Sequence, residues 1–151
     1  MNSDFRDLLQ IFAAYKVRYL IIGGYAVSKH SEPRYTKDLD IWIDNSIENA
    51  ELVYSALKAF GAPMSDVTVN DLTTPSMVYQ IGIEPTRVDI IMGLAEMDFD
   101  NCWKRRESVS IGEIPMNFIS LSDLIETKDL AGRPQDIIDA DNLRRQLNEQ
   151  N

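Results

Sequence analysis

Apolar and polar positions alternate along this chain in two periods, helical and extended, and the order of the two predicts a sheet with helices on it. Phe5, Leu8, Leu9, Phe12 and Ala13 fall at i, i+3, i+4, i+7 and i+8, the stripe of an amphipathic helix. Ser3 is placed to cap that helix, with Asp4 in its first turn. Tyr19–Ile22 is a short apolar run rich in strand formers that Gly23 and Gly24 stop, and residues 25–30 can then begin a short helix. Residues 38–44, DLDIWID, alternate strictly. In a strand this puts Asp38, Asp40, Trp42 and Asp44 on one face and Leu39, Ile41 and Ile43 on the other.

Further along, residues 46–60 read as a helix with Ile47, Ala50, Val53, Tyr54 and Leu57 facing inward, ended by Gly61 and Pro63. Residues 67–69 make a weak strand, and residues 77–83 a better one with Met77, Tyr79, Ile81 and Ile83 on one face. Glu84-Pro85 turns the chain into a strand at residues 87–92, so the two form a hairpin that sets Asp89 beside the aspartate strand. A short helix over 98–106, anchored by Phe99, Cys102 and Trp103, carries the basic cluster Lys104, Arg105 and Arg106 near its end. Short strands at 108–111 and 116–119 follow. A helix over 120–130 closes at Gly132, and Pro134 opens a last helix with Ile137, Ala140, Leu143 and Leu147 inward.

Composition narrows the classes. With 151 residues, 44% of them hydrophobic, the expectation is one compact domain over 1–151. There is no run of membrane-spanning length and no basic-then-apolar leader, so a cytoplasmic protein without membrane partners is expected. The single cysteine, Cys102, reads as a small core residue, and the single histidine, His30, as a surface or cap residue. A net charge of −9 argues against a broad nucleic-acid surface but leaves room for a local contact with an RNA end.

Three carboxylates carry the candidate chemistry. Aspartate is disfavoured in strands, and two on one face repel. A solvated acidic strand face accounts for Asp38 and Asp40 only at that cost, whereas a divalent cation removes it. Asp89 interrupts the apolar strand RVDIIM, where it forms either a local ion pair with Arg87 or the third carboxylate of a two-metal site. In that site it bridges a metal or takes the proton of an attacking hydroxyl. Gly23 and Gly24, between strand and helix, serve either as a plain tight turn or as a phosphate cradle at a helix N-terminus. Arg34 and Lys37, in the loop that Pro33 starts, either balance the aspartates or reach triphosphate oxygens. No credible zinc ligand set is present.

An apolar strand, Gly-Gly, a spacer, Asp-x-Asp and a later strand carboxylate, in that order, resemble the signature of the DNA polymerase β-like nucleotidyltransferase superfamily. The segment RYTKDLDIWI resembles its small bacterial members related to AbiEii-type toxin nucleotidyltransferases. The resemblance covers residues 19–44 and Asp89 well, the end of the chain loosely and the middle hardly. It implies an α/β (α+β) fold, a minimal nucleotidyltransferase fold with a mixed β-sheet and helices packed mainly on one side. It also implies a catalytic and metal set of Asp38, Asp40 and Asp89 with two Mg²⁺ ions and an NTP co-substrate. Gly23, Gly24, Arg34 and Lys37 would bind the nucleotide, and the run ETKDLAGRPQDIIDADNL resembles C-terminal helices of relatives that would add Lys128 and Arg133. Against that, Asp136 and Asp139 can simply ion-pair with Arg133 and orient it. Many superfamily members carry Ser after the first glycine where this chain has Gly24, so phosphate binding would rest more on backbone and basic side chains.

The activity so implied is transfer of a nucleoside monophosphate to a hydroxyl on a tRNA or RNA end, a protein or a small molecule such as an aminoglycoside, in or outside a toxin–antitoxin pair. The rival reading is a non-catalytic module of the same fold that binds a partner protein.

Overall fold

The computed structural model describes residues 1–31, 38–83 and 85–150. Helix α1 (Ser3–Ala14) opens the chain, and its cap is Asn2 rather than Ser3. The Asn2 Oδ1 accepts from the backbone N–H of Asp4 at 2.7 Å, so Ser3 is already the first helical residue. Its stripe of Phe5, Leu8, Leu9 and Phe12 is fully buried, each side chain contributing roughly 1.5–3 kcal/mol by leaving water. Strand β1 (Tyr19–Ile22) leads directly into α2 (Gly23–His30), so the two glycines are the first residues of the helix and not a turn ahead of it. After β2 (Leu39–Ile43), helix α3 (Ile47–Phe60) starts on the Ser46 side chain and stops where Gly61 turns left-handed at φ 96°.

Residues 67–69 are not a strand. Thr68 and Asp71 form a reciprocal capping box, and the chain makes the single helical turn α4 (Val69–Leu72) instead. Strands β3 (Val78–Ile81) and β4 (Val88–Ile91) form the expected antiparallel hairpin. They are followed by α5 (Phe99–Lys104), the hairpin β5 (Glu107–Ile111) and β6 (Ile114–Phe118), α6 (Leu121–Ala131) and α7 (Pro134–Gln150).

The six strands make one mixed sheet in the order β3-β4-β2-β1-β6-β5. The central pair β1–β2 is antiparallel, while β2–β4 and β1–β6 are parallel. Register sorts the faces. Leu20 opposes Trp42 and Ile22 opposes Asp40, so these four share a face with Asp89, the β4 partner of Asp40. Tyr19, Ile21, Leu39, Ile41 and Ile43 line the other face, where the Phe12 ring of α1 meets Tyr19 at 5.5 Å.

Trp42 is not on a solvated acidic face. It is buried, and Phe99 of α5 lies edge-on to it at 5.1 Å. Two expected inward positions also point outward: Ile47 is 50% exposed and Ile137 54%. Each lies in the first turn of its helix, off the stripe that Ala50, Val53 and Leu57, or Ala140 and Leu143, bury.

Paired charges hold the layers together. Arg18 bonds Asp44 and Asp100 at 2.8 Å each and lies over the Phe99 and Trp103 rings. Arg105 grips the buried Asp123 of α6 with two bonds of 2.9 Å, and Arg106 stacks on Trp103, so this end of the basic cluster is committed to the fold. Cys102 is a buried thiol, as its small size suggests. His30 is buried rather than superficial: its Nε2 lies 2.8 Å from the Ile119 carbonyl oxygen, and burial holds the imidazole below its ordinary pKa. No described helix is long and apolar enough to cross a membrane.

Candidate active site

The first residues of β2 and β4 and the last of β1 meet at one end of the sheet, and the candidate carboxylates are there. Asp40 and Asp89 are direct partners in the parallel β2–β4 register. Asp38 precedes β2, and Leu39 beside it donates its N–H to the Arg87 carbonyl at 3.1 Å, which binds the two strand starts together. Alternation on β2 therefore does what it predicts: it aims Asp40 to the Asp89 side while Leu39 and Ile41 are buried behind.

Gly23 closes the site from β1. Its φ is +66°, and a Cβ there would lie 2.2 Å from Asp40 Oδ2. Any side chain would strike the carboxylate as well as strain the backbone, so glycine brings the start of α2 against Asp40. Of the two expected phosphate-binding glycines, Gly23 thus has a demonstrable steric role, and Gly24 follows it in the first turn of the helix.

The electrostatics are those of a site short of positive charge. Burial, then the charge of Asp89 and that of Asp38, push the Asp40 carboxyl up to about 7, with a hydrogen bond to Asp89 adding to the effect and Arg87 opposing it. Arg87 is the counter-charge. Its Nη2 is 2.9 Å from Asp38 Oδ2, and its Nε is 3.2 Å from Asp89 Oδ1. Asp38 Oδ1 is buried without a hydrogen-bond partner. No group of three His, Cys, Asp or Glu side chains among the described residues is already disposed to hold a metal ion. An all-carboxylate donor set with two buried oxygens, Asp38 Oδ1 and Asp89 Oδ1, that lack a hydrogen bond among the described residues nonetheless fits a hard cation such as Mg²⁺.

The remaining expected site residues divide. Arg34 and Lys37 lie outside the described residues. Lys128 of α6 is largely buried between Asp136 and Asp139 of α7, at 3.5 and 3.3 Å. Arg133 forms the expected ion pair with Asp136, at 2.7 Å, and its side chain is otherwise 78% exposed. Asp139 is paired with Lys128 and accepts from Gln135 at 2.9 Å. Both α6 and α7 pack against α2, the helix that starts at the carboxylates. Arg87 is the residue whose position sequence reasoning underweighted: a local ion pair with Asp89 was legible from the i, i+2 spacing, but its reach to Asp38 depends on the β2–β4 pairing.

The fold is a nucleotidyltransferase architecture, and similar solved structures share that fold. The lincosamide antibiotic adenylyltransferase LnuA, in its lincomycin-bound structure, superposes with a TM-score of 0.61 at 17% identity, covering 95% of this chain and 96% of that one. A Thermotoga maritima protein provisionally described as a nucleotidyltransferase gives 0.62 at 20% identity, covering 96% and 91%. ANT(2'')-Ia, in complex with adenylyl-2''-tobramycin, gives 0.60 at 16% identity, covering 95% and 87%. No curated protein sequence matches the chain significantly. The chain belongs to the family of nucleotidyl transferases of unknown function DUF2204, whose model matches residues 1–151. The narrower relation to AbiEii-type toxins is not among these findings.

Proposed function

We propose that this chain transfers a nucleoside monophosphate from an NTP to a hydroxyl, with magnesium, at the Asp38–Asp40–Asp89 site. The observation that carries the reading is the adjacent placement of Asp40 and Asp89 with Asp38 beside them, where burial and mutual repulsion call for a cation. Asp38, Asp40 and Asp89 are the residues that would hold Mg²⁺, which supplies neutralisation of the triphosphate and acidification of the acceptor hydroxyl when bound.

The chain's own groups do the positioning. The backbone N–H groups of Gly23 and Gly24, in the first turn of α2, suit an anionic phosphate. Arg34 and Lys37 are assigned to the triphosphate, and Arg133, exposed beyond its Asp136 clamp, to the nucleotide. Lys128 is assigned to support that face through Asp136 and Asp139. The acceptor oxygen forms a bond to the α-phosphorus as the bond from that phosphorus to the bridging oxygen breaks. Pyrophosphate leaves, and the hydroxyl proton passes to a carboxylate of the trio, Asp89 being the assigned base.

Among acceptors, a small molecule is the best supported. The net charge of −9 opposes a polyanionic RNA end, and two similar structures hold small molecules, lincomycin in one and adenylyl-2''-tobramycin in the other. A role in a toxin–antitoxin pair has no comparable support. The rival reading, a non-catalytic module that binds a partner protein, draws on one observation: Arg87 already pairs with two of the three carboxylates.

One experiment separates them. Each of the four NTPs is titrated calorimetrically with and without Mg²⁺ against the wild type and an Asp38→Ala/Asp40→Ala variant. Mg²⁺-dependent binding of an NTP that the variant loses supports the enzyme and identifies the donor for labelled-transfer assays. A folded wild type that binds no NTP under any condition defeats it and favours the module.

A further inference from the structure

Among the described ion pairs, three arginines each span two carboxylates; Arg144 joins Asp129 to Asp141 near the surface, and the difference between the other two is informative. Arg18 joins Asp44 to Asp100, but its guanidinium also lies over the Phe99 and Trp103 rings, so it is fixed by packing as much as by charge. Arg87 joins Asp38 to Asp89, the two carboxylates that flank Asp40 in the candidate metal set. Its side chain keeps 32% of its surface exposed. The guanidinium Nη2, 2.9 Å from Asp38 Oδ2 and donating to Asp89 Oδ2 at 3.3 Å, claims oxygens that a cation would need.

We propose that Arg87 is an internal counter-ion that closes the carboxylate site in the metal-free protein and is displaced when Mg²⁺ enters with the nucleotide. The inference rests on the metal-site reading of Asp38, Asp40 and Asp89. Its physical content is a competition: the arginine and the cation bind the same oxygens, so each weakens the other. A free divalent ion must break both ion pairs alone. An ion arriving on a triphosphate brings further ligands that offset the loss, so the arginine biases the site against bare cations and toward the metal–nucleotide complex. Arg87 is thus a positioning residue: it acts through the carboxylates and on the order of loading.

The test uses Arg87→Gln, which keeps a hydrogen-bonding amide and removes the charge, and Arg87→Lys, which keeps the charge without the fork. Binding of Mg²⁺ and Mn²⁺ is measured by calorimetry with and without a non-hydrolysable NTP analogue, and thermal midpoints are recorded in chelator and in Mg²⁺. The expected result is about tenfold tighter binding of the bare cation to Arg87→Gln, the weight of a charge-assisted bond. Arg87→Lys should fall between it and wild type. The gain in cation affinity that the nucleotide confers should shrink in Arg87→Gln. The melting point of Arg87→Gln should drop in chelator and recover in Mg²⁺.

Equal or weaker cation binding by Arg87→Gln overturns the proposal, since a residue that merely orients the carboxylates would give that result. Failure of both wild type and Arg87→Gln to bind any divalent cation, with or without nucleotide, instead overturns the metal-site reading and this inference with it.

Discussion

At the scale of single residues, Asp40 has the most to say. A carboxylate usually gains stability on folding from its partners, but Asp40 meets burial and two like charges, which raise it from 3.8 to about 7. The folded chain therefore holds this proton more tightly than the unfolded chain. Without metal, raising the pH from about 4 to about 7 removes stability through this group, the reverse of the usual aspartate. Asp40→Asn should then melt higher than wild type in chelator at pH 8, by roughly 4 °C, or about 1–2 kcal/mol after allowance for partial solvation. At pH 4 the two should coincide. A variant that melts lower than wild type at pH 8 would show that the ionised carboxylate is already compensated. The Asp-x-Asp spacing was legible in the sequence because period 2 places both side chains on one face. The burial of His30 was not, since its partner carbonyl lies 89 residues away on the chain.

At the scale of elements, the informative junction is β1 into α2. The sequence predicts a strand stopped by two glycines, and the structure adds why the first must be glycine: φ +66° and a Cβ that would strike Asp40 Oδ2 at 2.2 Å. Gly23→Ala should accordingly cost about 1–3 kcal/mol, the range for backbone strain at a non-glycine left-handed position. It should also displace Asp40, so cation binding and transfer should fall together with the melting point. A Gly23→Ala protein as stable and as active as wild type would mean that α2 can shift freely at its start, against the close approach described. Ends marked by a side chain or a glycine were easy to read ahead of time: Ser46 and Ser120 start α3 and α6, and Gly61 and Gly132 end them. Residues 67–69 misled because two valines two apart read as a strand, whereas the Thr68–Asp71 capping box acts on the backbone itself and wins locally. Ile47 and Ile137 misled because helical periodicity defines a stripe but not its edge.

At the scale of the whole molecule, three carboxylates are gathered at one end of a sheet in a chain that already carries −9. Folding without a cation has to bring them together against that field, with Arg87 as their described counter-charge. The full order of strands was beyond the sequence: a β3–β4 hairpin with Asp89 beside the aspartate strand could be foreseen, but the register and the insertion of β2 between β4 and β1 depend on long-range pairing that no local pattern encodes. That insertion is what turns two separate acidic strands into one site, and it makes global stability a reporter of local occupancy. A ligand that binds only the folded state at a hundred times its dissociation constant adds about 2.7 kcal/mol, or about 5–10 °C in a chain of this length. Saturating Mg²⁺ with the preferred NTP should raise the melting point of the wild type by that order, and leave Asp38→Ala/Asp40→Ala nearly unmoved. Sodium chloride matched in ionic strength separates the causes, because screening relieves the general repulsion of an acidic chain without occupying a site. If salt alone reproduces the rise in wild type and variant alike, the acidity is a property of the surface, and the carboxylates have no cation to hold. If only Mg²⁺ with nucleotide does so, and only with Asp38 and Asp40 intact, then the repulsion built into this end of the sheet is the binding energy of the site held in reserve.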